Sequence, residues 1–496
     1  RGAGWLKFTV MLAERASRDR PRRLWGLFLA CGHALYDPVS HTASARLYGN
    51  VDAYAYYFVD ALVGIPQQRT SVIADTGSRT FAFPCANCAH CGEHLDPAFD
   101  VAKSSTAKWV LCGQDCMAAC SNNHCAYHQG YTEGSSIDGY YIQDYVSLGD
   151  TIQHNPPVFI RMGCHQKENK LFYTQKANGI MGMAPSSEGG NLLRALFSNT
   201  TLVASHVFSM CLAEWGGRLI VGGFNETYHR HPVQWLPTVS RAGYRMPLSA
   251  MKVDGRLVGT RWGRTIIDSG TTYTYMASSM YKELRRNIEE YCGRNSACGA
   301  KRSGECYSIP GDHDGLSRFP TVEVLFKDIS TMWEPRSYLF RRRRDGRWCY
   351  GFKDDGANAN TVLGITWMLH KEVIFDVMAH KVGVAAAVCP EYRSRPSNSE
   401  DLVNRIATIA TKAAKSAATS GRSGQALAGW VALAVFGMAI VVALMDCVCR
   451  RVRRLCRQGE TQYRHDELHD VDGRREADDL VVTSPQTVGR VAPTEG

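Results

Sequence analysis

Short apolar runs broken by turn residues dominate the chain between residues 47 and 390. Tyr57–Val63, Arg218–Val221 and Thr321–Phe326 alternate or run apolar for only a few residues, as strands do. Helical periodicity is confined to Asn191–Phe197, Ser278–Tyr291 and Thr366–His370. The pattern predicts a mainly β body. Two further apolar runs lie outside it. Leu24–Ala30 follows a basic stretch from Met11 (Arg15, Arg18, Arg20, Arg22, Arg23) and precedes the small residues Gly32 and Ala34, which reads as a signal peptide within residues 1–34. Ala426–Met445 is uncharged and long enough to span a bilayer. Arg450, Arg451, Arg453, Arg454 and Arg457 follow it, which predicts a single-pass type I transmembrane helix with a cytoplasmic tail over 446–496. Residues 391–425, rich in Ala, Ser and Thr, read as a stalk.

The strongest pattern occurs twice. Ser71-Val-Ile-Ala-Asp75-Thr-Gly-Ser78 is an apolar strand ending in an acidic turn, and Thr265-Ile-Ile-Asp268-Ser-Gly-Thr271 repeats it 193 residues later. Asn178-Gly-Ile-Met-Gly182 ends 107 residues after Asp75, and Thr361-Val-Leu-Gly364 ends 96 after Asp268. One Asp-Gly turn carries little weight, but two with matching downstream partners predict homologous lobes, meeting near residues 230–240.

Charge changes the picture by its location. The net +10 is concentrated as +5 in residues 1–34 and +3 in 391–425, leaving about +3 over 35–390. No nucleic-acid partner is expected. Of 18 cysteines, 14 lie in the body: Cys85, Cys88, Cys91, Cys112, Cys116, Cys120, Cys125, Cys164, Cys211, Cys292, Cys298, Cys306, Cys349 and Cys389. An even number in a lumenal body predicts disulfides, with no metal or other cofactor, although Cys85, Cys88 and Cys91 near His90, His94, His124 and His128 also suit zinc. Spacing does not set the pairing. Asn199 and Asn225 open glycosylation sequons.

Two buried strand-end aspartates brought together cannot both ionise cheaply, so they share a proton. The ionised member can take a proton from water attacking a peptide carbonyl while the other donates to the oxyanion. Thr76 and Ser269 suit bonds to the opposite lobe, Ser78 and Thr271 suit support of the carboxylates, and Gly77 and Gly270 suit tight turns with amides aimed at the acids.

These residues resemble the pepsin-type aspartic proteases over about residues 47–390, with Tyr57-Phe-Val-Asp and Phe375–Ala385 similar to that family's early and closing strands. Within the family, the cysteine-rich insert, Tyr131-Thr-Glu-Gly-Ser135 and the membrane anchor resemble the plasmepsin V subgroup of apicomplexan proteases. The resemblance implies a bilobal pepsin-like fold with the active site between lobes, here 47–232 with a cysteine-rich insert at 85–125, and 233–390. It implies an aspartic endopeptidase with catalytic Asp75 and Asp268, and a substrate-covering flap with Tyr131, Glu133, Gly134 and Ser135. Glu133 takes the place of a glutamate that binds substrate arginine, so polypeptides of the secretory pathway carrying an Arg-x-Leu type site are the expected substrates. Endoplasmic reticulum or Golgi membrane is the expected location, and Cys211–Cys389 is an expected disulfide. There are departures: Ala82 stands where pepsins carry a tryptophan that steadies the flap tyrosine, Thr132 replaces the subgroup's flap cysteine, and Ile365 replaces an aspartate. A non-catalytic pepsin-like binding module and a cysteine-rich membrane receptor are the competing readings.

Overall fold

The computed structural model describes residues 36–37, 41–113, 116, 118–150, 155–185, 191–311 and 313–396. The signal region, the transmembrane segment 426–445, the tail and the stalk beyond residue 396 lie outside the described residues. Among the described residues, no helix is long and apolar enough to cross a membrane.

Strands dominate, and their pairing reproduces the repeat. Gln68–Asp75 lies parallel to Gly179–Gly182, with Gly182 opposite Asp75, and Phe81–Pro84 runs antiparallel beside the latter. In the second half, Thr265–Ile267 lies parallel to Thr361–Leu363, and Thr274–Met276 runs antiparallel beside that. Each Asp turn therefore leaves a strand whose parallel neighbour is the predicted downstream partner. The first-lobe runs are apolar on both faces because these strands are covered on both sides: Val72 and Ala74 on one face and Ile73 on the other, and Phe81 and Phe83 on one face and Ala82 on the other, are all buried.

The first turn belongs to a sheet of sixteen strands, which also takes in Gln234–Pro237, Lys371–Asp376 and Lys381–Ala386 from the C-terminal half. The second belongs to a five-stranded sheet, accompanied by two four-stranded sheets. The halves thus share a sheet that fixes one against the other. Trp262, Trp333 and Trp367 fill the C-terminal core, and Tyr57, Phe58, Phe81 and Phe83 are fully buried in the N-terminal half. Each such side chain contributes about 1.5–3 kcal/mol or more by burial.

The helical readings hold, with shifted ends. Leu192–Ser198 is capped by the Asn191 side chain, which accepts from the Arg194 amide at 3.1 Å. Ser278–Gly293 buries Met280, Tyr281, Leu284 and Ile288. The third helix is Ile365–Met368, and it stops short of His370, whose φ of 59° cannot continue a right-handed helix. Five-residue Lys170–Thr174 has no counterpart in the sequence reading.

All 14 body cysteines pair: Cys85–Cys164, Cys88–Cys91, Cys112–Cys120, Cys116–Cys125, Cys211–Cys389, Cys292–Cys298 and Cys306–Cys349. The zinc alternative is displaced, because no body thiol is left to ligate a metal. Cys211–Cys389 joins residues 178 apart, which removes much freedom from the unfolded chain. In each sequon the asparagine Oδ1 accepts from its threonine hydroxyl, at 2.6 Å for Asn199 and 2.8 Å for Asn225. The run Arg341–Arg344 lies in a hairpin of Leu339–Arg341 and Trp348–Tyr350, in which Asp345 pairs with Arg342 and Arg347.

Candidate active site

The two Asp turns meet at the junction of the halves. Thr76 donates its hydroxyl to the Ile267 carbonyl at 3.2 Å and accepts from the Ser269 amide at 2.9 Å. Ser269 does the reciprocal, donating to the Ala74 carbonyl at 2.7 Å and accepting from the Thr76 amide at 3.0 Å. Four buried hydrogen bonds thus clamp one strand end to the other, as expected of these two hydroxyls.

The clamp forces the carboxylates together. A Cβ added to Gly77 would fall inside 3.0 Å of Asp268, and one added to Gly270 would strike Asp75. Here glycine is required by close approach, since each turn lies against the other lobe's acid. The Gly77 amide donates to Asp75 Oδ1 at 2.8 Å, and the Gly270 amide donates to Asp268 Oδ1 at 2.9 Å.

The acids are not equivalent. Asp75 is 5% exposed, whereas Asp268 is half-buried. Burial first, and then the charge of Asp268, push the Asp75 carboxyl up to about 8. Thr271 donates its hydroxyl to Asp268 Oδ2 at 2.7 Å. Its counterpart Ser78 lies against Asp75 and pulls its pKa down, but its buried hydroxyl is not closed into a hydrogen bond of good geometry. The expected support is therefore formed in one lobe and loose in the other.

A hairpin of His124–Gly130 and Ser136–Leu148 carries Tyr131–Ser135 at its tip. Tyr131 and Ser135 close the turn through a backbone bond of 2.9 Å, and Gly134 adopts φ 87°, open to glycine without strain. The Tyr131 hydroxyl is buried without a partner, and its pKa is raised by burial and then by the Asp75 charge. Tyr131 at the tip therefore lies near enough to the first acid to feel its charge. Glu133 is exposed and accepts a bond from the buried Ser135 hydroxyl. A two-residue reach to Ser135 draws it back onto the turn.

Sequence reasoning missed what steadies Tyr131 in the absence of a tryptophan. Ala82 shares a small buried cluster with Tyr127, Ile137, Phe172 and Ile180, against which Tyr131 and Tyr141 pack. The Phe172 ring lies 4.9 Å from the Tyr131 ring. Its only sequence signal is Asn169 ahead of a short apolar stretch, too brief to register as a helix.

The model of the eukaryotic aspartyl protease family matches residues 56–387, about two-thirds of the chain. Aspartic protease 5 of Toxoplasma gondii is 32% identical over 490 residues, covering 83% of this chain and 46% of its own length. Plasmepsin V of Plasmodium falciparum is 25% identical over 435 residues, covering 70% of this chain and 73% of its own. Aspartic proteinase 36 of Arabidopsis thaliana is 28% identical over 375 residues, covering 68% and 75%. The chain spans less than half the length of the Toxoplasma relative. Family model, relatives and the doubled Asp turn agree: the chain belongs to the eukaryotic aspartyl protease family, a family of aspartic endopeptidases.

Proposed function

We propose that this chain is an aspartic endopeptidase of secretory-pathway membranes, cleaving polypeptides with water activated between Asp75 and Asp268. The observation that carries this reading is the four-bond clamp, which holds two carboxyls within reach of a single water. Asp75, buried and raised to about 8, is the acid that protonates the carbonyl oxygen. Asp268, more open and supported by Gly270 and Thr271, is the base that takes the water's proton. No covalent bond to the enzyme forms: from the gem-diol intermediate Asp268 passes its acquired proton to the amide nitrogen, the C–N bond breaks, and Asp75 recovers its proton from a gem-diol hydroxyl. Tyr131 closes over the acids and excludes bulk water.

Glu133 is the specificity element of this proposal, matching an Arg-x-Leu type site. An exposed carboxylate at the flap tip, exchanging its Ser135 contact for a guanidinium, prefers arginine to lysine through two parallel bonds. The support is chemical and comes from the likeness to plasmepsin V. The signal segment, anchor and lumenal body are likewise part of the proposal, supported by the arginines at 15–23 ahead of Leu24–Ala30 and at 450–457 after Ala426–Met445.

The test is cleavage of paired Arg-x-Leu and Lys-x-Leu peptides by the purified full chain between pH 4 and 8. Cleavage should favour arginine by about tenfold, and Glu133→Ala should erase that preference. Discrimination unchanged in Glu133→Ala would remove Glu133 from recognition. Absence of cleavage at every pH would instead favour a non-catalytic binding fold.

A further inference from the structure

Buried polar groups outside the carboxylate pair gather behind the flap. Glu168, 0% exposed, ends the strand Val158–Glu168. Its carboxylate accepts from the Gly92 amide at 3.1 Å, from His94 Nε2 at 3.0 Å and from His165 Nδ1 at 2.7 Å. Its own amide donates to the His90 carbonyl at 2.8 Å, and His90 Nδ1 reaches the Glu168 carbonyl at 2.9 Å. His90 and Gly92 flank Cys91, whose disulfide to Cys88 closes this part of the insert. Burial pushes the Glu168 carboxyl up, but the bonds from His165 and His94 bring it below its ordinary value. One ionised, fully buried side chain thus holds the cysteine-rich loop to the sheet.

The residues directly after Glu168 hold the flap. Asn169 Oδ1 accepts from the Ser136 amide at 2.6 Å, and its Nδ2 donates to the Ser136 hydroxyl at 2.9 Å, at the base of the hairpin tip. Phe172 then packs against Tyr131, the rings tilted by 40°, and also lies 6.3 Å, edge to face, from the His165 ring. A shift of residue 168 carries with it both residues that grip the flap. We infer that Glu168 is a positioning residue for the flap: it ties the disulfide-closed loop at 88–94 to segment 169–172, which holds Tyr131 near Asp75. The cysteine-rich insert then acts as a brace for the active site.

The inference rests on the proposed reading of Tyr131–Ser135 as the substrate-covering flap. Glu168→Gln keeps the shape while removing the charge. In the full chain it should lower kcat/KM on an Arg-containing peptide about tenfold, mainly through KM. Amide hydrogen exchange at residues 131–136, read without substrate, should rise while exchange in the C-terminal half stays unchanged. Combined with Phe172→Leu, the loss should match the worse single variant, because both act through the same segment. Losses that multiply, or unchanged exchange at 131–136, overturn the inference. If Glu168→Gln does not fold, Asn169→Ala and Phe172→Leu carry the exchange test: unchanged flap protection in both would overturn it. Because exchange is read without turnover, an inactive wild type would defeat the proposed function and leave this measurement standing.

Discussion

The two Asp turns are copies of one motif placed in unlike surroundings. Asp75 ends an eight-residue strand of the large sheet, almost wholly buried, with Tyr131 near it. Asp268 follows a three-residue strand of a smaller sheet and remains half-open. The backbone around both is nearly symmetric, down to the reciprocal hydroxyl bonds of Thr76 and Ser269. Symmetry therefore lies in what clamps the lobes, and asymmetry in what solvates the acids. In the proposed mechanism, a duplicated motif becomes an acid in one lobe and a base in the other through burial and a single hydroxyl, without any change in its aspartate or glycine.

The symmetric part is tested by its expected equality. Thr76→Val and Ser269→Ala each strand one buried amide and one buried carbonyl, at a cost of about 2–4 kcal/mol. Chemical denaturation should give similar losses for the two, and a loss confined to one would show a one-sided clamp. The asymmetric part is tested by its expected inequality. Thr271→Ala removes a charge-assisted bond and should lower kcat by about 10–100-fold, while Ser78→Ala should cost less than about threefold. Equal losses would break the comparison between the acids.

A smaller effect sharpens it through stability. Asp75 holds its proton to about 8 when folded, against 3.8 as the ordinary value, so folding takes up a proton between those limits. Its contribution therefore falls as pH rises from about 4 to about 8. Asp75→Asn should melt near the wild-type temperature at pH 4 and about 5 °C or more above it at pH 7.5. A difference that does not grow with pH would place the proton elsewhere.

What the chain reveals by reading alone follows contact range. Strand, turn and parallel partner recur as local phrases at similar spacings, so the duplicated lobes and both aspartates are legible. The clamp hydroxyls are legible too, because they adjoin the aspartates. Disulfide pairing is not, since Cys85 passes over six nearer cysteines to reach Cys164. Phe172 is 41 residues beyond Tyr131 and meets it only because a five-residue helix docks beside the hairpin. Glu168 is invisible for the same reason: its three donors come from two segments more than 70 residues apart. The place of Glu133 on the turn is local and readable, but its exposure depends on how that turn curls.

The most direct test of the account compares cleavage of one Arg-containing peptide by the wild-type chain, Asp75→Asn and Asp268→Asn, each confirmed folded by thermal melting. If the two carboxyls share the water, each variant should lose cleavage by about 10⁴-fold or more. Cleavage within tenfold of wild type in either variant would contradict the central claim.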